Sequence, residues 1–176
     1  MKVTAWIAPG TWTAVINALR DHHTTDQITL IAVADAAQVM PPGTERALMG
    51  RGRRRPHGDT DRIATEQAES LLRTAMQRLV QSAGTAEGDP AATATSGVAA
   101  TTRVLTGRTE RAVVQAAEAT DWLVMARDGD RSRLGPRSLG RAARFVLDHA
   151  PCTVELIWPI DPPDLTTIPP PPPEPR

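Results

Sequence analysis

Gly129 and Gly140 stand at the two ends of an arginine-rich segment, and together they mark the part of this 176-residue chain best suited to hold an anion. Arg127, Arg131, Arg133, Arg137, Arg141 and Arg144 crowd the same segment. Glycine lets backbone approach a ligand closely, a helix N-terminus adds unpaired N–H donors and the positive end of a dipole, and a guanidinium adds a charge-assisted bond to phosphate. Two readings of this segment stay open: an anion pocket that uses arginine in place of backbone, or a solvated basic loop and helix face. A second basic cluster, Arg51 to Arg55, has the charge to grip phosphates. It lacks neighbouring aromatic residues for base stacking, and the chain's net charge is zero, so a solvated loop is expected there and nucleic acid is not an expected partner.

Catalytic groups are sparse. No Ser sits in a nucleophile elbow, and no Cys–His pairing is suggested. Lys2 is the only lysine, so the Gly-rich, lysine-bearing ATP motif is absent. The chain is therefore expected not to be an enzyme, with weak nucleotide hydrolysis left open. His22 and His23 fall at a helix end, where interaction with the helix dipole or plain solvation is expected rather than metal binding. His149 falls in a last helical turn before Ala150 and Pro151 and reads as a C-terminal cap, with no partner at a metal-ligand spacing. Asp35, at a strand end, either borders a crevice or is a solvated turn residue. Cys152 is the only cysteine; it rules out an internal disulfide and reads as a small core residue. No apolar run reaches membrane-span length and no signal-peptide h-region opens the chain, which makes the cytoplasm the expected compartment.

These residues need a scaffold. Trp122 to Ala126 reads as a buried strand, a polar loop with Gly129 and Gly135 follows, then a helix over roughly Leu139 to His149 and a strand from Thr153 to Trp158: a βαβ unit. Upstream, Val3 to Ile7 reads as a strand. Thr11 follows as an N-cap, and Trp12, Val15, Ile16 and Leu19 recur at helical spacing up to His22 or His23. Ile28 to Ala34 is a near-continuous apolar run that suits a strand covered on both faces. Ala36 to Thr60 reads as a long irregular connection containing the basic stretch Gly50 to Gly58. A helix over about Asp61 to Ala83 carries the stripe Ile63, Leu71, Leu72, Ala75, Met76, Leu79 and Val80. Gly84 to Pro90 reads as linker, Val98 to Leu105 as a strand, and Thr109 or Glu110 opens a helix to Ala119. Residues 1–158 thus form one α/β domain, because strands alternating with helices favour a parallel sheet with helices on both faces. In a doubly wound sheet of this kind, ligands sit beyond the carboxyl ends of the strands where strand order reverses. Residues 159–176, where Pro169 to Pro173 run unbroken, read as a Pro-rich disordered tail.

The stretch DWLVMARDGDRSRLGPRSLGRAARFVLDHAPCTVELIW, Asp121 to Trp158, resembles the C-terminal half of a universal stress protein domain. LVM before the loop and DHAPCTV after the helix match that family's flanks. TGRTERAVVQAAEATDWLVMARDGD is similar to its third helix and fourth strand, and the resemblance extends over about residues 1–158. The family's nucleotide signature differs here: Ala126 stands at its first Gly, Gly129 at its second, one extra residue precedes Gly140, and Arg141 replaces a Ser or Thr.

The resemblance implies a doubly wound five-stranded parallel sheet with helices on both faces, Rossmann-like and of the adenine nucleotide alpha hydrolase type, in the order 3-2-1-4-5. It implies ATP or AMP as the ligand. Ala8, Pro9 and Gly10 would border base and ribose, with Gly10 where the family often has a ribose-binding Asp. Val33 would lie against the adenine. Ala126, Arg127 and Gly129, then Gly140, Arg141 and Ala142, would surround ribose and phosphates. It also implies a homodimer through the last strand and a stress-response regulatory role. The extra loop residue counts against backbone donors converging on one anion, and losing two bonds to a charged group would cost roughly 3–6 kcal/mol. Two functions remain open: a regulator that responds to a nucleotide or another anion, or a dimeric scaffold of the same fold that acts through protein contacts.

Overall fold

The apolar runs condense into five parallel strands. In the computed structural model, residues 1–23, 26–39, 57–81, 99–168 and 170 are described. The strands are β1 (Lys2–Trp6), β2 (Gln27–Ala34), β3 (Ala100–Thr106), β4 (Trp122–Ala126) and β5 (Thr153–Ile157), in the order β3-β2-β1-β4-β5. The helices are α1 (Trp12–His22), the short α2 (Ala36–Val39), α3 (His57–Gln81), α4 (Thr109–Ala117) and α5 (Arg141–His149). This is the expected doubly wound α/β sheet. β1 pairs with both β2 and β4, with Val3 opposite Ile28 on one side and Trp122 on the other.

Alternation along each strand splits the core into two layers. Val3 and Ala5 of β1, and Ile7 just after it, join Ile28, Leu30 and Ala32 of β2 under α1 and α3. Trp6, Ile31, Leu123 and Met125 face the other way, under α4 and α5. Central strands are apolar on both faces for this reason, whereas β3 at one sheet edge exposes Thr101, Thr102 and Arg103. The face that α3 buries is Ala64, Ala68, Leu72, Ala75 and Leu79. That corrects the expected stripe: Val80 is 55% exposed, and two alanines take the upper turns. Small residues let the helix approach the sheet closely in a chain with few aromatic side chains.

Several boundaries also move. The connection expected to be irregular from Ala36 is helical at both described ends. Asp35 accepts the Ala37 N–H at 3.0 Å and so starts α2, while Asp59 in the first turn of α3 complements the helix dipole. Helix α5 begins at Arg141, because Leu139 and Gly140 are extended and Pro136–Ser138 forms a separate 3-10 turn. Thr11 precedes α1 without capping it; its hydroxyl donates back to the Ala8 carbonyl at 3.3 Å. Arg51 to Arg55, the linker Gly84 to Pro90, and residues 169 and 171–176 lie outside the described residues. Residues 159–168 are mostly exposed, but the Leu134 N–H donates to Thr167 Oγ1 at 3.0 Å, which ties this segment to the loop after β4. No helix among the described residues is long and apolar enough to cross a membrane.

His22 is exposed, but His23 is not solvated. His23 is 3% exposed. Its Nδ1 lies 3.0 Å from Asp26 and its Nε2 lies 2.8 Å from Glu155, on edge strand β5. His22 Nδ1 reaches the other oxygen of Glu155 at 2.6 Å, the N-terminal ammonium holds Asp26 at 3.0 Å, and the Trp122 ring packs edge-on against His23. Ionised carboxylates only accept, so both His23 nitrogens donate and the ring is an imidazolium. Burial pulls the pKa of His23 down; the bonds to Glu155 and Asp26 and their negative charge outweigh it and leave it above the ordinary 6.5. Burial pushes Glu155 up, and its bonds from His23 and His22 bring it below the ordinary 4.5. The His23 bond, followed by that of the N-terminus, lowers Asp26 below 3.8.

The pH dependence follows from these signs. The His23 contribution is complete below its ordinary pKa of 6.5 and is lost as pH rises through the higher folded value. The carboxylate contribution is present above 4.5 and 3.8 and is lost as pH falls through the lowered values. Thermal melts across pH should show a midpoint that declines as pH rises past 6.5. His23→Gln should lower the midpoint by about 4–10 °C under mildly acidic conditions and flatten that decline. An unchanged decline in the variant would remove His23 as its source.

Candidate functional site

Strand order reverses between β1 and β4. The connection after β1 climbs to α1 on one face, and that after β4 climbs to α5 on the other. The divergence opens a crevice of about 650 Å³ beyond the carboxyl ends of the strands. Its apolar walls come from Trp6, Ile7, Trp12 and Val33, and α3 closes one side with Ala64, Ala68 and Leu71. Polar groups enter from Gln67, Ser70 and Thr74 of α3, from Thr109, and from the carboxylates of Asp35 and Asp128. No arginine, lysine or histidine is among its described lining residues.

The candidate residues divide between this crevice and other places. Ala8, Pro9, Val33 and Ala142 line it. Gly10 makes the turn after β1 at φ 77°, a left-handed conformation that suits glycine, and Arg131 Nη2 reaches its carbonyl at 3.5 Å. Ala126 ends β4 at 6% exposure, with its methyl group in the core. Arg127 turns away from the crevice: its Nη1 donates to Ser138 Oγ and its guanidinium carbon sits 4.7 Å from the centre of the Trp158 ring. Its Nε is buried without a partner among the described residues. Arg141 is exposed and lines a different groove, between α4 and α5.

The two glycines serve the loop itself. The Gly129 N–H donates to the Ser138 carbonyl at 3.0 Å, and the Asp130 N–H donates to Arg137 at 2.8 Å, so the loop after β4 folds back on itself. A Cβ on Gly129 would collide with the Arg137 carbonyl oxygen and lie 2.8–2.9 Å from the Ser138 and Leu139 backbone. Gly140 begins α5, and its N–H donates to Asp128 Oδ1 at 2.7 Å. A Cβ there would stand 2.7 Å from both oxygens of that carboxylate.

The seat expected for a phosphate therefore holds an internal carboxylate. A helix N-terminus attracts an anion through its free N–H groups and dipole, and Asp128 supplies that anion from within the chain. The same device recurs at α4, where Asp35 Oδ2 accepts the Thr109 hydroxyl at 2.9 Å and its N–H at 3.4 Å. A phosphate seated at the Gly140 N–H would compete with Asp128 for that donor and face two carboxylates, with no cation in the described lining. Sequence reasoning weighed Asp35 and missed Asp128, Thr109, both tryptophans and the α3 wall. The tryptophans had a signal, since each sits at an end of an element leading into the β1–α1 turn. Asp128 had none, because its partner is twelve residues away along a loop whose path is set by tertiary structure. His149, expected as a cap, makes a bond from Nδ1 to the Phe145 carbonyl at 2.9 Å.

A sequence model described as the universal stress protein family matches residues 13–157. No curated protein matches the chain. Among solved structures, the chain is similar to the hypothetical protein MJ0577, described as a test case of structural genomics, with a TM-score of 0.61 and 14% identity over 89% of this chain and 94% of that one. It is also similar to the universal stress protein UspA from Lactobacillus plantarum, with a TM-score of 0.55 and 18% identity over 89% and 97% of the two chains. For the hypothetical protein PH0823 the TM-score is 0.53 and the identity 15%, over 91% and 96%. At these identities the likeness to each structure is one of fold.

The loop geometry sets a test. Gly129→Ala adds a methyl group where backbone already stands, which is overpacking and costs about 1–3 kcal/mol. The thermal midpoint should fall by roughly 3–10 °C. A variant as stable as the parent would mean that the loop after β4 does not close on Gly129.

Proposed function

The chain belongs to the universal stress protein family, and from that premise we propose that it is a non-catalytic, cytoplasmic regulatory protein that acts through protein contacts and does not depend on a bound nucleotide. One observation carries this reading: the Asp128 carboxylate occupies the Gly140 N–H at the start of α5. A nucleotide phosphate at that place would meet a negative charge at hydrogen-bond distance. Asp35 and Asp128, the carboxylates nearest the crevice, are both engaged by helix N-termini, which leaves neither free as a general base.

Edge strand β5 supports a homodimer as the working form. Among the described residues it is paired on one side only, with β4. An unpaired parallel edge invites a second copy. Glu155, held by two histidines, fixes the strand's inner face against α1.

A second reading, in which ATP or AMP enters the crevice, draws on the crevice volume and on the four candidate residues in its walls. Here it requires Asp128 to move, and it does not use Arg141. Thermal melts separate the two readings. With Mg-ATP or AMP at millimolar concentration the midpoint should stay within about 1 °C, whereas a ligand at 100 times its dissociation constant would add about 2.7 kcal/mol, or roughly 5–10 °C. Asp128→Ala should lower the unliganded midpoint by about 2–6 °C, as expected for a lost helix cap. It should also make the midpoint respond to Mg-ATP, because the Gly140 N–H is then free. A parent protein that is stabilised by 5 °C or more, with the gain unaffected by Arg141→Ala, would replace the first reading with the second.

A further inference from the structure

The arginines of the glycine loop region are not all absorbed by the crevice or the loop. Arg141 and Arg144 of α5 meet Arg108, just ahead of α4, and Arg111 of α4 across a groove of about 820 Å³. Two smaller depressions continue it along α4: the next shares Arg108 and Arg111, and the last ends at Arg103 on edge strand β3. Five arginines thus follow one path across this face, against the carboxylates Glu110 and Asp148.

Elsewhere on the described surface three arginines are paired with acids: Arg62 with Glu66 at 2.7 Å, Arg133 with Asp130 at 3.2 Å, Arg73 with Glu69 at 3.9 Å. Along the groove no arginine forms an ion pair with a described residue; Arg144 alone is engaged, by the Pro136 and Leu139 carbonyls. Unmatched like charges gathered on one face oppose folding and favour an acidic partner.

The floor narrows the partner's chemistry. Phe145 is half-buried and its ring is already covered by His149, stacked at 4.0 Å and nearly parallel. The groove therefore offers little bare aromatic surface on which a nucleobase could stack, and zero net charge gives no long-range pull on a polynucleotide. The open apolar side chain is aliphatic, Leu147 at 41% exposure.

We propose that the α4–α5 face is a docking site for an acidic protein segment that carries an aliphatic side chain, with its carboxylates opposite Arg108, Arg111 and Arg141 and its apolar residue against Leu147. This inference rests on the reading that the protein acts through protein contacts, and names the surface and the partner's chemistry. Guanidinium groups match carboxylates two bonds at a time, so an extended acidic segment can engage the arginines in turn.

Fluorescence anisotropy with a fluorescein-labelled peptide of repeating Glu-Glu-Leu tests it on the full chain. The peptide should bind, and binding should weaken at least fivefold between about 50 and 300 mM salt. Arg108→Glu combined with Arg141→Glu should weaken it by about tenfold or more, and Leu147→Gln by about threefold or more, each with an unchanged thermal midpoint because these side chains are exposed. No binding at millimolar protein, equal affinity for a Lys-Lys-Leu peptide, or arginine variants that bind as tightly as the parent would overturn the assignment. Tighter binding of oligo-dT than of the acidic peptide would overturn it in favour of nucleic acid. Each of these leaves the nucleotide-independent reading standing, since that reading is decided by the Mg-ATP melts.

Discussion

Two helix N-termini border the crevice beyond the carboxyl ends of these strands, and both must be satisfied. In an open α/β fold that requirement usually makes the site: the N–H groups and the dipole wait for an anion from solution. Here the chain answers it internally. Asp35 sits on the first residue of α4 and Asp128 on Gly140 at the start of α5. The consequences spread outward from that choice. Asp128 must leave β4 in a direction that returns it to Gly140, so the loop closes on itself through Gly129 and leaves no room for a side chain there. Arg127, between Asp128 and the strand, is directed to the opposite side and finds Ser138 and Trp158. The crevice that remains has a depth set by an alanine-faced helix and a polarity set by two engaged carboxylates.

The opposite end of the sheet has its own constraint. The C-terminal end of α1, Asp26 ahead of β2, the chain's N-terminus and edge strand β5 all meet at His23. One protonated ring between two carboxylates links elements far apart in sequence, with Glu155 lying 132 residues from His23. A charge network of this kind is selective about geometry because a buried charge left without its partner costs far more than an exposed pair gains. It holds β5 in register against α1 while leaving the strand's outer edge unpaired.

How much of this could be read from the sequence follows from the range of the interaction concerned. Central strands were legible because burial on both faces leaves apolar runs: Ile28 to Ala34 is β2 within one residue. β3 was harder, since an edge strand keeps Thr101, Thr102 and Arg103 in solvent and its alternation fades. The stripe of α3 was legible at Leu71, Leu72, Ala75, Met76 and Leu79, which all reach the core, but alanine signals burial weakly, and Ala64 and Ala68 were passed over for larger neighbours. The strand order came from family resemblance and not from periodicity, which contains no information about which strands lie side by side. Ala8, Pro9, Val33 and Ala142 reached the crevice because chain connectivity alone places strand ends and helix starts there. Asp128 and the His23 network escaped because each is a pairing across folded structure, and neither residue type is unusual at its position.

The arginine cluster shows the limit most clearly. In the sequence it is a single basic segment and invites a single anion site. In three dimensions the segment is a loop followed by a helix, and these disperse its side chains by different rules. The loop sends Arg127 to Trp158, Arg131 to Gly10 and Arg133 to Asp130, each to a partner within reach of its own position. The helix turns about 100° per residue, so Arg141 and Arg144, three apart, share a face, while Ala142 and Ala143 between them face the crevice and the core. The face that the two arginines share looks at α4, not at the strand ends. Small residues are needed where α5 meets sheet and crevice, and charge is accommodated only on its outer side. With the Gly140 N–H bonded to Asp128, Arg141 and Arg144 lie on the outer side of α5, in the groove it forms with α4.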